Sequence, residues 1–289
     1  MIVAICVFSL FRPVELEVRP ARSSIVVVEQ NGRRETLEGS GAMKLRGPAR
    51  ATGRDGVETS FILSVPGKIS REFHGRLEVR GDAGHLLAIV RMDRENAVAS
   101  IVAAESPSAA PLEARKAQAV VARSFLIASR GRHEGFDFCD TTHCQFLREA
   151  PPAGSLALKA EEETKDLVVA YQGRAIPALY SANCGGKTRT LEEAGWNAEA
   201  YPYFAVECPV RGAVAGHRIG MCQTGAAAMA RHGKTFRAEP LRDRAGHPRT
   251  KTYYDEGLRH DGLLCKPSVR RAQPPHSGAA RPASCHRAL

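Results

Sequence analysis

The chain lacks any run of the ~20 apolar residues that a membrane-spanning helix needs, so no span is read from it. Aromatics are scarce, with Phe, Tyr and Trp making up 6% of the residues and a single Trp among them. There is no zinc-finger spacing and no basic stretch interleaved with aromatics, which argues against a nucleic-acid binder. Charge gives that class little help. The balance of 41 basic against 31 acidic residues is +10, but ten Lys/Arg against four Asp/Glu lie from Leu241 onward. The body before them is close to neutral. The apolar start, Met1 to Phe11, has no basic n-region and no small-residue cleavage site, and Arg12-Pro13 follows at once. It reads as a first β-strand, so no export signal is evident in this chain. No internal repeat is present. The eight cysteines are unevenly placed, two of them within Cys139 to Cys144, which suits a metal site better than a disulfide framework.

What is present is a mixture of strands and helices. Residues 1–92 read as β: Ser24–Val28, Phe61–Val65 and Leu86–Val90 are apolar runs separated by Asn31-Gly32, Pro66-Gly67 and Gly81-Asp82 turn signals. A helix over Asn96 to Glu105 places Val98, Ile101 and Val102 at i, i+3 and i+4, and Pro107 stops it. A second helix starts near Pro111 and runs to about Arg130. After a Cys/His-rich loop come a helix over Leu156 to Thr164, a hairpin of Leu167–Tyr171 and Ala175–Tyr180 turning at Gln172-Gly173, and a small-residue helix over Thr224 to Arg231. Residues 238–289 are rich in Pro and Arg without apolar period and read as a disordered tail. The fold class expected is α+β, a β-rich N-terminal region over 1–92 and a mixed helix and strand core over 93–237.

Four groups of residues can carry chemistry. Glu105 continues the apolar stripe of its helix at i+7, at a C-terminus where the helix dipole repels negative charge. Both circumstances favour the protonated carboxyl, which is what a general acid requires. The plain alternative is a glutamate ending its helix in solvent. Glu113, Lys116 and Arg123 share a helix face on which two cations could hold an anionic or polar group. The plain alternative there is a Glu113–Lys116 surface pair worth roughly 0.3 kcal/mol. His133, Cys139, His143 and Cys144 offer two thiolates and two imidazoles, the ligand set of tetrahedral structural zinc; a local disulfide or two reduced, unliganded cysteines are the alternatives. Gly216-His217-Arg218-Ile219-Gly220-Met221-Cys222-Gln223 is a glycine-flanked loop where His217 and Gln223 could hydrogen-bond a ligand. It reads equally as an ordinary tight turn.

Taken together these segments resemble the SpoIID/LytB family. Ala103-Ala104-Glu105-Ser106-Pro107 is similar to its Glu-Met-Pro element, and Glu113-Ala114-Arg115-Lys116-Ala117-Gln118-Ala119-Val120-Val121-Ala122-Arg123-Ser124-Phe125 resembles its motif helix. Cys139-Asp140-Thr141-Thr142-His143-Cys144-Gln145 matches its Cys-Asp-Thr-Thr-His-Cys-Gln loop. Ser181-Ala182-Asn183-Cys184-Gly185-Gly186 and the Gly216–Gln223 segment resemble two further signatures. Arg218 departs from the pattern by replacing a glycine. The family's closing Tyr-Tyr-Pro-Gly element is replaced by Ala238-Glu239-Pro240 and the basic tail, with only a faint likeness at Tyr253-Tyr254.

The resemblance implies a SpoIID-like catalytic core that acts on peptidoglycan glycan strands in the cell envelope, as a lytic transglycosylase of sporulation or wall remodelling. It implies Glu105 as general acid/base and places the family's helix Lys and Arg at Lys116 and Arg123; with Glu113, Asp140, His217 and Gln223 these are the expected substrate contacts. It also implies structural zinc on His133, Cys139, His143 and Cys144. A non-catalytic glycan-binding module that stimulates a cell-wall amidase is the alternative function that the resemblance allows.

Overall fold

The structure is a computed structural model that describes residues 1–171, 174–197, 203 and 205–236. The expected Gln172-Gly173 turn, the tail over 238–289 and the Tyr253-Tyr254 likeness therefore lie outside the described residues. The chain forms two compact units. Among the described residues, one comprises Met1–Ala104 and Arg130–Pro151, the other Glu105–Ser129 and those from Pro152 to Phe236.

In the first unit the alternating apolar runs become strands β1 (Ile2–Val7), β2 (Leu16–Pro20), β3 (Val26–Gln30), β4 (Arg33–Leu37), β5 (Met43–Leu45), β6 (Ala49–Thr52), β7 (Thr59–Val65), β8 (Ile69–Asp82) and β9 (His85–Asp93), joined later by β10 (Phe138–Cys139). They form one strand-rich, nearly closed barrel-like sheet. Strand β7 shows the cause most plainly: its residues alternate buried and half-buried, one face to the core and the other outward. The apolar start forms β1 as expected, and Asn31-Gly32 makes the β3–β4 hairpin with both residues at positive φ, 52° and 74°. The Gly81-Asp82 signal is displaced. Both residues stay in β8, and the chain reverses at Ala83 and Gly84, with φ of 42° and 87°.

Strand β8 organises the sheet. Its first half pairs with β7, its second half with β9, and Leu77 to Val79 pair with β6. The switch falls at Gly75, whose φ is 155° and where a Cβ would lie 2.4 Å from the Arg91 carbonyl oxygen. Inside, Phe73 packs against Phe8 and Phe61 at ring-centroid distances of 5.9 and 6.1 Å. Arg71 is buried and lies over the Phe8 ring, and it bonds Asp140 Oδ2 at 3.2 Å. Asp140 also accepts the Phe8 N–H at 2.9 Å and the Ser9 hydroxyl at 3.1 Å. Burial raises its pKa despite these donors. The loop after β10 is thus anchored to the sheet by a buried charge pair, whose rupture typically costs about 3–5 kcal/mol.

Helix α1 (Arg94–Glu105) begins two residues before its expected start and buries Ala97 to Val102 as a continuous run rather than a single stripe. In the second unit, α2 (Leu112–Ala128) starts behind Pro111, where the missing N–H of proline would have gone unpaired in any case. Residues Ala117 to Leu126 are all buried, so this is a core helix apolar on nearly every side. Ala114, Ala117, Val120 and Val121 pack with Val169, Ala178, Met221, Ala226, Ala227 and Phe236. Helix α3 (Leu156–Glu162) is capped by Ser155. The expected hairpin is shorter: β11 (Ala170–Tyr171) pairs with β12 (Arg174–Ala175), while β13 (Tyr180–Ser181) runs parallel to β14 (Met221–Cys222) ahead of α4 (Gln223–Arg231). Side-chain alternation predicts extended backbone but not its partner, and here the partner is a distant segment.

Replacing Gly75 by Ala imposes both an unfavourable φ and a backbone clash. The variant should lose about 2 kcal/mol or more in urea unfolding. An unchanged midpoint would show that β8 does not depend on this bend.

Candidate functional site

Glu105, the last residue of α1 and the first of the second unit, is half-buried and is bonded from β13 and α4. The Tyr180 hydroxyl from β13 donates to its carboxylate Oε1 at 3.0 Å. Gln223, the first residue of α4, donates from Nε2 to the Glu105 backbone carbonyl at 2.9 Å and to Gln118 Oε1 of α2 at 3.2 Å. One carbonyl that the helix end leaves open is thereby satisfied. The Tyr180 pKa is raised well above its usual value by burial and by the charge of Glu105, so the phenol stays a neutral donor. Among the described residues, Ser106 Oγ, Gln118 Nε2 and Ser181 Oγ are buried polar atoms with no hydrogen-bond partner in the protein. Ser106 follows Glu105, Ser181 follows Tyr180, and Gln118 shares a bond with Gln223. Buried polar atoms are normally paired, and these three stand out as exceptions.

The other α2 residues divide their roles. Lys116 Nζ lies 2.6 Å from Glu113 and 2.5 Å from Glu163, and its ammonium sits over the Phe236 ring. Glu113 also accepts the Phe236 N–H at 3.0 Å. Arg123 is fully buried; it donates to the carbonyls of Thr164 at 2.8 Å and Leu167 at 3.1 Å. Its guanidinium therefore fixes the chain that follows α3. Arg115 does the same for the turn between α1 and α2, bonding the carbonyls of Pro107, Ser108 and Ala110.

In the glycine-flanked loop, Gly220 has φ 72°, and a Cβ there would lie 2.1 Å from the Leu179 oxygen. Only glycine lets β14 approach β13 and so bring Gln223 to Glu105. Arg218 also sits at positive φ, 66°. This is the backbone conformation for which glycine, the residue of the resembling signature, is suited. His217 Nδ1 accepts the Ile219 N–H at 3.1 Å, and its ring lies 5.3 Å from that of Trp196. Burial lowers the His217 pKa.

His133, Cys139, His143 and Cys144 converge in the first unit, each offering a ligand atom within 4.8 Å of the others. Parallel pairing of β10 with β1 sets Cys139, and a Cys144 N–H to Thr141 carbonyl turn allows the adjacent His143 and Cys144 to face the same point. His133 Nε2 is 3.2 Å from Cys144 Sγ, and His143 Nδ1 is 3.6 Å from Cys144 Sγ and 3.7 Å from Cys139 Sγ. The Cys144 pKa is raised by the Cys139 sulfur and by burial. The donor set and its convergence fit a tetrahedral zinc without rearrangement of the chain. Asp140, expected among the substrate contacts, is buried and paired with Arg71.

Sequence reasoning passed over Tyr180, Gln118 and a group formed by Cys184, Cys208 and Cys222. Tyr180 and Gln118 lie beside or inside the quoted motifs, but only the β13–β14 pairing and the packing of α2 bring them to Glu105.

Residues 82–171 match the family model described as Stage II sporulation protein, SpoIID. The match ties this segment to sporulation and the cell wall at a coarse level. It contains Glu105, Lys116, Arg123 and the Cys/His loop, and ends before Tyr180, His217 and Gln223. An uncharacterised protein of Brachyspira hyodysenteriae (strain ATCC 49526 / WA1) is 27% identical over 124 residues, 42% of this chain. The matched region is 34% of that protein, so the chain spans about a third of the relative's length. Among the described residues no helix is long and apolar enough to cross a membrane.

The half-buried His217 yields a pH signature. Its imidazole resists protonation in the fold but takes a proton near its usual 6.5 when unfolded. Its contribution to stability is thus present above pH 6.5 and lost as pH falls through the lower folded value. His217→Gln should flatten the fall in unfolding free energy between pH 7.5 and 5. Parallel curves for variant and wild type would contradict this.

Proposed function

We propose, from the premise that this chain carries a SpoIID domain, that it cleaves peptidoglycan glycan strands with Glu105 as the single general acid and base. The observation that carries the reading is the setting of the Glu105 residue at the end of α1, its carboxyl bonded by the Tyr180 hydroxyl and its backbone carbonyl by Gln223. Glu105 delivers its proton to the glycosidic oxygen, and the bond to the anomeric carbon breaks. The sugar's own hydroxyl then closes on that carbon and returns its proton to Glu105, leaving an anhydro-sugar. Atoms and charge balance without water, so no second carboxylate is needed. A hydrolase would place two carboxyl groups across the scissile bond, and Asp140 is already committed to Arg71. Tyr180 orients the carboxyl by its hydrogen bond, and the backbone contact from Gln223 fixes the helix end that presents it. His217, Lys116 and Glu113 are the further groups proposed to border the glycan, in a protein working in the cell envelope.

For the loop of His133, Cys139, His143 and Cys144 we propose zinc in a structural role. Four protein ligands complete a tetrahedron and leave no position for an activated water. A glycan-binding module that stimulates an amidase would use the same surface without the proton transfer.

Two measurements test these readings. Glu105→Gln keeps size and hydrogen bonding but holds no transferable proton, so it should lower turnover of strands stripped of stem peptides by at least about a thousandfold, while binding stays within a few-fold. Full activity in that variant would sink the assignment. Removing zinc from the Cys/His loop with a chelator should lower the thermal midpoint, because ligand convergence and folding are linked. An unchanged midpoint after proven metal loss would contradict the structural role.

A further inference from the structure

The second unit holds a sulfur cluster that the proposed reaction does not use. Cys184, Cys208 and Cys222 come from three separate segments, are all buried, and bring their Sγ atoms within 4.8 Å of one another. We propose that these three cysteines form a second metal centre, a three-thiolate site for zinc, distinct from the Cys/His loop of the first unit.

Four features of the site support this. The first is spacing. Zn–S bonds of about 2.3 Å set tetrahedral sulfurs roughly 3.8 Å apart, so the trio reaches that arrangement by a small contraction. The second is that every sulfur accepts backbone N–H groups. Cys184 receives the N–H of Gly186, Cys208 that of Val210, and Cys222 those of Cys184 and Gly225, the last two at 3.4 Å. Soft sulfur donors select zinc or copper(I) over harder ions. The third is Gly225 in the first turn of α4. A Cβ on it would stand 2.5 Å from Cys208 Sγ and 3.4 Å from Cys222 Sγ, so the convergence of sulfurs requires a glycine here. The fourth is that Cys222 caps α4, whose positive end faces its sulfur.

A disulfide is the rival chemistry. Any bridge within the trio leaves one sulfur pressed against it, with N–H donors that a neutral disulfide accepts only weakly. Three protein ligands leave the fourth position of zinc to water. The centre ties the Cys184 loop, the segment around Cys208 and the β14–α4 junction into one body. Those same segments follow Tyr180 and carry Gln223, so the metal acts as a positioning element for the groups around Glu105.

The experiment uses the full chain, stripped of metal and reduced, with cobalt(II) as the probe. Wild type should take up two equivalents, and Cys139→Ser/Cys144→Ser one. The remaining cobalt in that variant should show the sulfur-to-metal charge-transfer absorption of three Co–S bonds. Cys208→Ser should abolish the second equivalent while leaving the first. Gly225→Ala should weaken the second site by about tenfold or more with its ligands intact. If Cys139→Ser/Cys144→Ser does not fold, wild type and Cys208→Ser alone decide, at two equivalents against one. A Cys208→Ser chain that binds as much cobalt as reduced wild type, or a folded Cys139→Ser/Cys144→Ser chain that binds none, overturns the proposal.

Discussion

The hydrogen bond from Tyr180 to Glu105 is the contact on which the candidate site depends, because it joins a helix end to a strand with no sequence neighbour in common. Everything around it serves to bring those two side chains together. Gly220 lets β14 run against β13, β14 leads directly into α4, and α4 opens with Gln223, which grips the Glu105 carbonyl. Helix α2 lies beneath, contributing Gln118 from a nearly all-buried surface. A carboxyl held in this way loses little freedom when a substrate arrives, and that pre-organisation is what acid–base chemistry by one residue requires.

The charged residues of α2 show how a motif can carry structure and site together. Arg123 and Arg115 direct their guanidinium groups at backbone carbonyls, fixing the chain after α3 and the turn after Glu105. Lys116 is shared between two glutamates. Burying such cations is favourable only when they are fully paired, and their partners here are the turn after Glu105, α2 itself and the chain around α3.

Much of this was legible in the residues because the patterns were local. Alternation marked the strands of residues 1–92, Pro107 and Pro111 bracketed the turn between α1 and α2, and Glu105 stood out by its position on α1. The Cys/His loop was equally legible, since its four donors lie between residues 133 and 144. Contacts that span the chain were not. Tyr180 reads as the end of a hairpin strand until β13 is seen to pair with β14. Cys184, Cys208 and Cys222 read as three isolated cysteines until the fold collects them. The reversal at Ala83-Gly84 rather than Gly81-Asp82 shows the same limit at short range, because several adjacent residues could adopt positive φ and the register with β9 selects among them.

The central claim is that one carboxyl cleaves a glycan without water. Mass spectrometry of the products from purified chain and stripped glycan strands tests it most directly. The account predicts fragments ending in anhydro-muramyl sugar, each lighter by one water than a hydrolytic product. Reducing ends carrying that water, or strands left intact by a folded, metal-loaded chain, would contradict it.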